Sequence, residues 1–263
     1  MITLVPFYRD VIDPSPSLKK HLNARQNFDY RLTVSRMSDT FLKFSGKNAK
    51  VVVQTDMTTP FENYDVFRSD ISAHSLMQSI VQSNTNYIKN CDLGKHVLVG
   101  ADHLFMGDGN IFFEDDYDIG LYVRSHANEP ITRQINNTAV CVNMKSNNKN
   151  EIINFFIDRE NEYDKNTQYH DWYGDQHSIF ATLQRYNIIN EYWSHKKSKQ
   201  FFDYQGIKIK LMEYNKEYLM MLNRNGEMEF DKSKAVMLDF KGEDFLQKKY
   251  INEIYNNIMN GTL

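Results

Sequence analysis

The stretch that most constrains the fold is KHVLVGADHLF, Lys95 to Phe105. Val97, Leu98 and Val99 form a short, continuous apolar run with β-branched residues, the pattern of a strand covered on both faces. The run breaks at Gly100-Ala101-Asp102 and resumes at once with Leu104 and Phe105. A carboxylate at the carboxyl end of such a strand sits where open α/β sheets bind their ligands. An Asp that only shapes the turn after a strand gives the same pattern, so Asp102 carries both readings at this point.

The rest of the chain alternates in the same way. Ile2 to Pro6 reads as a strand, and Lys50 to Thr55 (KVVVQT) as a buried one ending at Thr55-Asp56. Between them, Tyr30, Val34, Met37, Phe41 and Phe44 recur at helical spacing over Phe28 to Phe44, with Gly46 as a stop signal. A second helix is expected over Ser69 to Asn90, with Ile71, Leu76, Ile80, Tyr87 and Ile88 on one side. Strands follow at Ile119 to Val123 and Thr138 to Met144, then helices at Glu151 to Glu162 and Asp175 to Tyr186. Strands near Ile207 to Leu211 and Ala235 to Leu238 precede a closing helix from Glu243 to Met259. Strands separated by helices imply a largely parallel sheet with right-handed crossovers.

Composition narrows the function classes. A chain of 263 residues with 41% hydrophobic and 25% charged residues can bury a substantial α/β core. With 11 Gly and 5 Pro and no low-complexity run, no linker stands out, so a single domain is expected. No apolar stretch is long enough to span a membrane, and the amino terminus lacks the basic region of a signal peptide. Two cysteines, Cys91 and Cys141, suit a reducing compartment. Abundant Asn, Lys, Ile and Tyr fit an AT-rich genome, so the expectation is a soluble cytoplasmic protein of a bacterial, viral or phage-infected cell. A net charge of −3 disfavours a protein whose main task is gripping nucleic acid. The basic run His195 to Lys199 beside Phe201, Phe202 and Tyr204 reads first as a solvated loop, and second as a surface for single strands.

Four segments, in order along the chain, resemble the glycosyltransferases of the GT-A fold, which bind a nucleotide-sugar on a Rossmann-like, mostly parallel sheet flanked by helices. They are the opening ITLVP–helix–KVVVQTD unit, the VLVGADHLF strand, Tyr173-Gly174-Asp175-Gln176, and Met237-Leu238-Asp239-Phe240-Lys241-Gly242. The second is similar to that family's strand with an Asp-x-Asp motif, the third to its Gly-Asp-Gln, and the fourth to the late His-Phe-Lys-Gly of several retaining branches. The resemblance implies a nucleotide-binding half over 1–105 and a donor-sugar and acceptor half over 106–263. It implies donor contacts from Pro6, Phe7, Tyr8, Thr55, Asp56, Ala101, Asp102, Asn137, Lys241 and Gly242, with Tyr8 stacking on the base. Asp175 and Gln176 are then the candidate catalytic pair.

The departures from the family's pattern bear on the metal. Gly100-Ala101-Asp102 supplies only the second Asp of Asp-x-Asp, and Asp239 stands where the family has a metal-binding His. Asp102 and Asp239, with His103 in compensation, are the expected ligands of Mn2+ or Mg2+; imidazole suits Mn2+, whereas Mg2+ prefers oxygen. Such a cation neutralises charge developing on a leaving diphosphate, and Lys241 would add a second positive charge. Asp175 also fits a helix N-cap, which leaves its role open here.

Other clusters fit less well. Tyr169-His170-Asp171-Trp172 and His177 lack the repeated spacing of a zinc site, and Trp172 and Tyr173 suit a sugar-facing wall or the core. Glu114-Asp115-Asp116 with Asp118 lacks the Gly and Glu of an EF-hand and reads as an exposed turn. Arg124 and Arg133 read as surface ion-pair partners. No nucleophile elbow, dinucleotide fingerprint or P-loop is present.

The leading expectation is transfer of a sugar from a nucleoside diphosphate, UDP-sugar first, to the hydroxyl of a glycan or another acceptor. A nucleotidyltransferase is the alternative, although its Gly-rich loop is replaced by Phe7-Tyr8-Arg9-Asp10. A third is a catalytically silent domain that binds a glycan or partner. A hydroxymethylated DNA base as acceptor is disfavoured by the acidic charge.

Overall fold

The structure, a computed structural model, describes residues 1–10, 29–71, 75–124, 134–165, 173–195, 198–214, 218–221, 235–240 and 245–262; positions 220, 221 and 245–250 are described by backbone alone. The chain begins with β1 (Ile2–Pro6), α1 (Tyr30–Ser45), β2 (Ala49–Thr55), β3 (Asp65–Arg68) and α2 (Leu76–Asn90). Next come β4 (Gly94–Val99), β5 (His103–Phe105), β6 (Ile119–Val123), β7 (Ile135–Met144), α3 (Lys149–Lys165), α4 (Gly174–Arg185) and α5 (Ile188–Ser194). The last elements are β8 (Phe201–Tyr204), β9 (Ile207–Glu213), β10 (Leu219–Met221), β11 (Met237–Asp239) and α6 (Phe245–Asn260).

These strands form a central sheet in the order β3-β2-β1-β4-β7-β6-β9-β8 and a small sheet in the order β10-β11-β5. In the central sheet, β7 and β8 run against all the others, so the sheet is mostly parallel, as expected, with antiparallel insertions. The alternation of buried residues shows why both faces are covered. On β1, Val5 packs to one face while Ile2 and Leu4 pack to the other. On β4, Leu98 and the pair Val97 and Val99 divide in the same way. One face carries Tyr87 and Ile88 of α2, Phe155 and Phe156 of α3, and Ile179 and Leu183 of α4. The other carries Val34, Met37 and Phe41 of α1. The fold is thus one α/β layer structure with helices on both faces.

α1 follows its sequence closely. The Asp29 carboxylate caps it by accepting from the Leu32 amide at 2.9 Å, and Gly46 closes it at φ 70°. Its Phe41 ring meets Phe105 edge-to-face at 4.9 Å between centroids. α2 departs from its sequence. It starts at Leu76 because Ser75 caps the Gln78 amide, and the residues before it include the edge strand β3, DVFR, which has no apolar run to mark it. The fully buried stripe of α2 is Val81, Thr85 and Ile88, while Leu76 and Ile80 are half-buried. Of the remaining elements, β7 begins three residues earlier than its apolar run suggests, and β11 lies over Met237–Asp239, later than Ala235 to Leu238. α5, β8 and β10 have no counterpart in the sequence reading. Among the described residues, no helix is long and apolar enough to cross a membrane.

Candidate functional site

The chemistry-bearing residues converge because β5 and β11 pair antiparallel. Their register sets His103 directly opposite Asp239, Leu104 opposite Leu238, and Phe105 opposite Met237. Directly opposed residues share a face with neighbouring Cβ atoms, so the His103 and Asp239 side chains meet. The Phe240 amide donates to the Asp102 carbonyl at 2.9 Å, which extends the seam to Asp102. His103 Nε2 lies 3.5 Å from Asp239 Oδ1, and His103 Nδ1 lies 3.6 Å from Asp102 Oδ1. One ligand atom from each of these residues falls within 4.8 Å of the others.

This cluster fits a divalent cation. His103 is fully buried, yet neither ring nitrogen makes a hydrogen bond. A buried polar atom without a partner is rare, and a missing ligand is one explanation for it. Two carboxylate oxygens and one imidazole nitrogen are a donor set that Mn2+ accepts well. Gly100 leaves the room: a Cβ there would stand 3.3 Å from Asp102 Oδ1 and 3.6 Å from His103 Cε1.

Asp102 and His103 line a cavity of about 370 Å³, at the carboxyl ends of β1 and β4. Its second polar wall is made by Asn137 and Thr138 of β7 and by Asp175 and Gln176 of α4. Asn137 Nδ2 donates to Asp175 Oδ2 at 2.7 Å. Asp175 does not cap α4, because Tyr173 holds that position without a side-chain bond and the Asp175 carboxylate turns to β7 instead. Asn137 Oδ1, Asp175 Oδ1 and Gln176 Oε1 are all buried acceptors with no hydrogen-bond partner. Behind them lies Arg159, fully buried, with Nη2 3.4 Å from the Asp175 carbonyl oxygen and Nε 3.4 Å from Ser178 Oγ. Burial pulls its guanidinium down to about 10, against the opposing pull of the Asp175 charge.

Phe7, Tyr8, Arg9 and Asp10 also line the cavity, with Asp29 and Tyr30 at the start of α1. The Phe7 amide donates to Val99 O at 3.1 Å and the Tyr8 amide to Gln54 O at 3.0 Å, so the loop is fixed to both neighbours of β1. Tyr8 donates its hydroxyl to Asp10 Oδ1 at 2.7 Å, and Arg31 closes on Asp10 at 2.8 Å. Burial, followed by the Asp10 carboxylate, pushes the Tyr8 phenol up to about 12. Leu76, Met77 and Ile80 give the cavity an apolar wall.

Among the described lining residues, Asp10, Asp29, Asp102 and Asp175 are carboxylates and Arg9 is the cation.

Of the residues expected to contact a donor, Phe7, Tyr8, Ala101, Asp102 and Asn137 line this cavity, together with the expected metal ligand His103 and the expected catalytic pair Asp175 and Gln176. Pro6, Thr55 and Asp56 do not; Pro6 and Thr55 are buried at strand ends. Asp56 closes a turn by accepting from the Thr58 and Thr59 amides. Burial would raise its carboxyl, and those bonds outweigh that and hold it below the usual range. Lys241 and Gly242 lie outside the described residues, as do Arg133, Lys196, Lys197 and Tyr169 to Trp172.

The acidic run is an ion-paired clamp: Asp116 pairs with Lys145 and Lys208, and Asp115 with the buried Lys210. Sequence reasoning missed Arg9, Asp10, Asp29 and Arg159, which follow no motif and are marked only by the fold. It also missed Tyr214, whose hydroxyl reaches Asp239 from the end of β9.

No protein-family model matches the chain, and no curated protein matches it. Among solved structures, the chain is similar to a crystal structure described as a glycosyltransferase involved in the glycosylation of the major capsid of PBCV-1. That similarity covers 95% of this chain and 98% of the other, at 7% identity and a TM-score of 0.49.

Proposed function

We propose that the protein is a nucleotide-sugar-dependent glycosyltransferase of GT-A type, with Asp102, His103 and Asp239 holding Mn2+. The observation that carries this reading is that a cation-type donor set and three partnerless buried acceptor oxygens line, or adjoin, one cavity. Sugar hydroxyls supply the donors that Asn137, Asp175 and Gln176 lack. Tyr8 offers a ring for the base, which supports a nucleotide half over 1–105 and a sugar and acceptor half over 106–263. Imidazole in the set favours Mn2+ over Mg2+.

In the reaction, the acceptor oxygen bonds to the anomeric carbon and the carbon–phosphate-oxygen bond breaks. The electron pair leaves on the diphosphate, and the acceptor hydroxyl loses its proton. A cation held by Asp102, His103 and Asp239 would supply Lewis-acid neutralisation of the charge on the departing diphosphate. Asp175 orients the donor hydroxyls or takes the acceptor proton, and Asn137 fixes its carboxylate for either task. The resemblance of the late motif to retaining branches favours retention at the anomeric carbon over inversion.

A thermal-shift panel of UDP-, GDP- and CDP-sugars, with and without Mn2+, tests the proposal. We expect stabilisation by UDP-sugar only with Mn2+, lost in Asp102→Ala; ligand at about 100 times its Kd stabilises by about 2.7 kcal/mol. A preference for nucleoside triphosphates would instead indicate nucleotidyl transfer. Indifference to every nucleotide-sugar would overturn the proposal.

A further inference from the structure

Two hydroxyls meet one oxygen of the Asp239 carboxylate. Tyr214 donates its hydroxyl to Asp239 Oδ2 at 2.7 Å, and Thr138 Oγ1 lies 3.1 Å from the same oxygen. Both of these contacts fall on Oδ2, the Thr138 hydroxyl being shared with Asn136 Oδ1, while Asp239 Oδ1 is the oxygen that faces His103 Nε2. All these groups are buried, Tyr214 being 6% exposed and Asp239 and His103 0%. In a dry environment a hydrogen bond to a carboxylate is strong and directional.

Tyr214 is well fixed for this. It follows β9 directly, and its own amide donates to Val123 O at 2.8 Å, so the backbone is tied to the end of β6. Its ring belongs to the same packed face as Phe105, Phe112 and Tyr122. The hydroxyl therefore stands on the central sheet, while Asp239 stands on the small one.

We infer that Tyr214, with Thr138 beside it, is a positioning residue that turns Asp239 so that Oδ1 is presented to the cation. This rests on the cation site proposed above. Groups that orient a ligand from behind typically change metal affinity about 10- to 100-fold when removed. Tyr214→Phe deletes only the hydroxyl. It frees Asp239 to rotate or to bind through both oxygens, and neither state matches the site formed with Asp102 and His103.

The test is Mn2+ titration by calorimetry on the full chain, comparing the parent, Tyr214→Phe and Thr138→Val, with the metal-free melting temperature measured alongside. Tyr214→Phe should bind Mn2+ at least about 10-fold more weakly. Thr138→Val, which removes the longer contact to the same oxygen, should weaken binding by less and serves if Tyr214→Phe does not fold. Phe155→Leu, buried in α3 on the opposite face of the central sheet, is the control for general loosening. Unchanged Mn2+ affinity in a folded Tyr214→Phe protein would overturn the inference. So would an equal loss in Phe155→Leu at a matched melting temperature. If the parent itself binds no Mn2+, the cation site fails first and takes this inference with it.

Discussion

His96 offers a quantitative test of how the central sheet is held. It lies on β4, the strand that delivers Gly100 to Asp102, and is 2% exposed. Its Nε2 faces the Asp92 carbonyl at 3.0 Å and therefore carries the proton, which leaves Nδ1 to accept from Tyr87 OH at 3.0 Å. The neutral ring is thus fully satisfied. Burial, opposed by the Asp92 carbonyl, lowers its pKa from 6.5 to about 4.

The sign follows from linkage. Below 6.5 the unfolded chain binds a proton that the folded protein refuses until about 4, so stability falls as pH drops through that window. At 1.36 kcal/mol per unit, the loss is about 2 kcal/mol by pH 5 and about 3 kcal/mol when the window has been crossed. Other groups titrate over the same range, so the assay is a difference. Urea unfolding of the parent and of His96→Gln at pH 7, 6 and 5 isolates the contribution of this ring. The variant should be less stable at pH 7, and its deficit should shrink by about 2 kcal/mol at pH 5. Parallel pH profiles for the two proteins would refute the argument.

Asp175→Asn should lower turnover of a UDP-sugar by about 10²-fold or more in a steady-state assay, because it removes the carboxylate facing the cavity. The same substitution should also lower the melting temperature, since Arg159 loses its nearby opposing charge; normal turnover would remove Asp175 from the mechanism. Gly109→Ala should destabilise by about 1–3 kcal/mol in urea unfolding. Its Cβ would stand 2.7 Å from Phe41 Cε2 and 3.2 Å from Ile2 Cδ1, atoms locked in the core.

Much of this architecture is legible in the sequence. The runs ITLVP, KVVVQT and HVLV are apolar because both faces of the sheet are covered, and α1 shows its stripe because one side packs on that sheet. Strands β3 and β8 at the edges escape notice, since half-exposed strands have no continuous apolar signal. The convergence of Asp102 with Asp239 is foreseeable from family resemblance alone. The register that brings it about is not, because β5 and β11 are three-residue strands whose pairing depends on tertiary packing. α2 shows a further limit. Its periodicity puts Leu76 and Ile80 on the core side, whereas they form the apolar wall of the cavity. Asp175 at a helix start looks like a cap, and only the bond from Asn137 separates the two roles.

The seam between β5 and β11 has a consequence for assembly. It joins segments separated by more than half of the chain, and α6 packs on it through Ile251 and Ile254 against Leu104 and Leu238. A cation gripping Asp102, His103 and Asp239 would act as a clip across that long loop, where closure entropy makes a cross-link most effective. Donor recognition through that cation and the docking of the late segment would then be one event, because Asp239 joins Asp102 and His103 only when β11 has found its register. Chelation would loosen the small sheet and α6 before it disturbed the central one, making this layer the hinge between an assembled and an unassembled site.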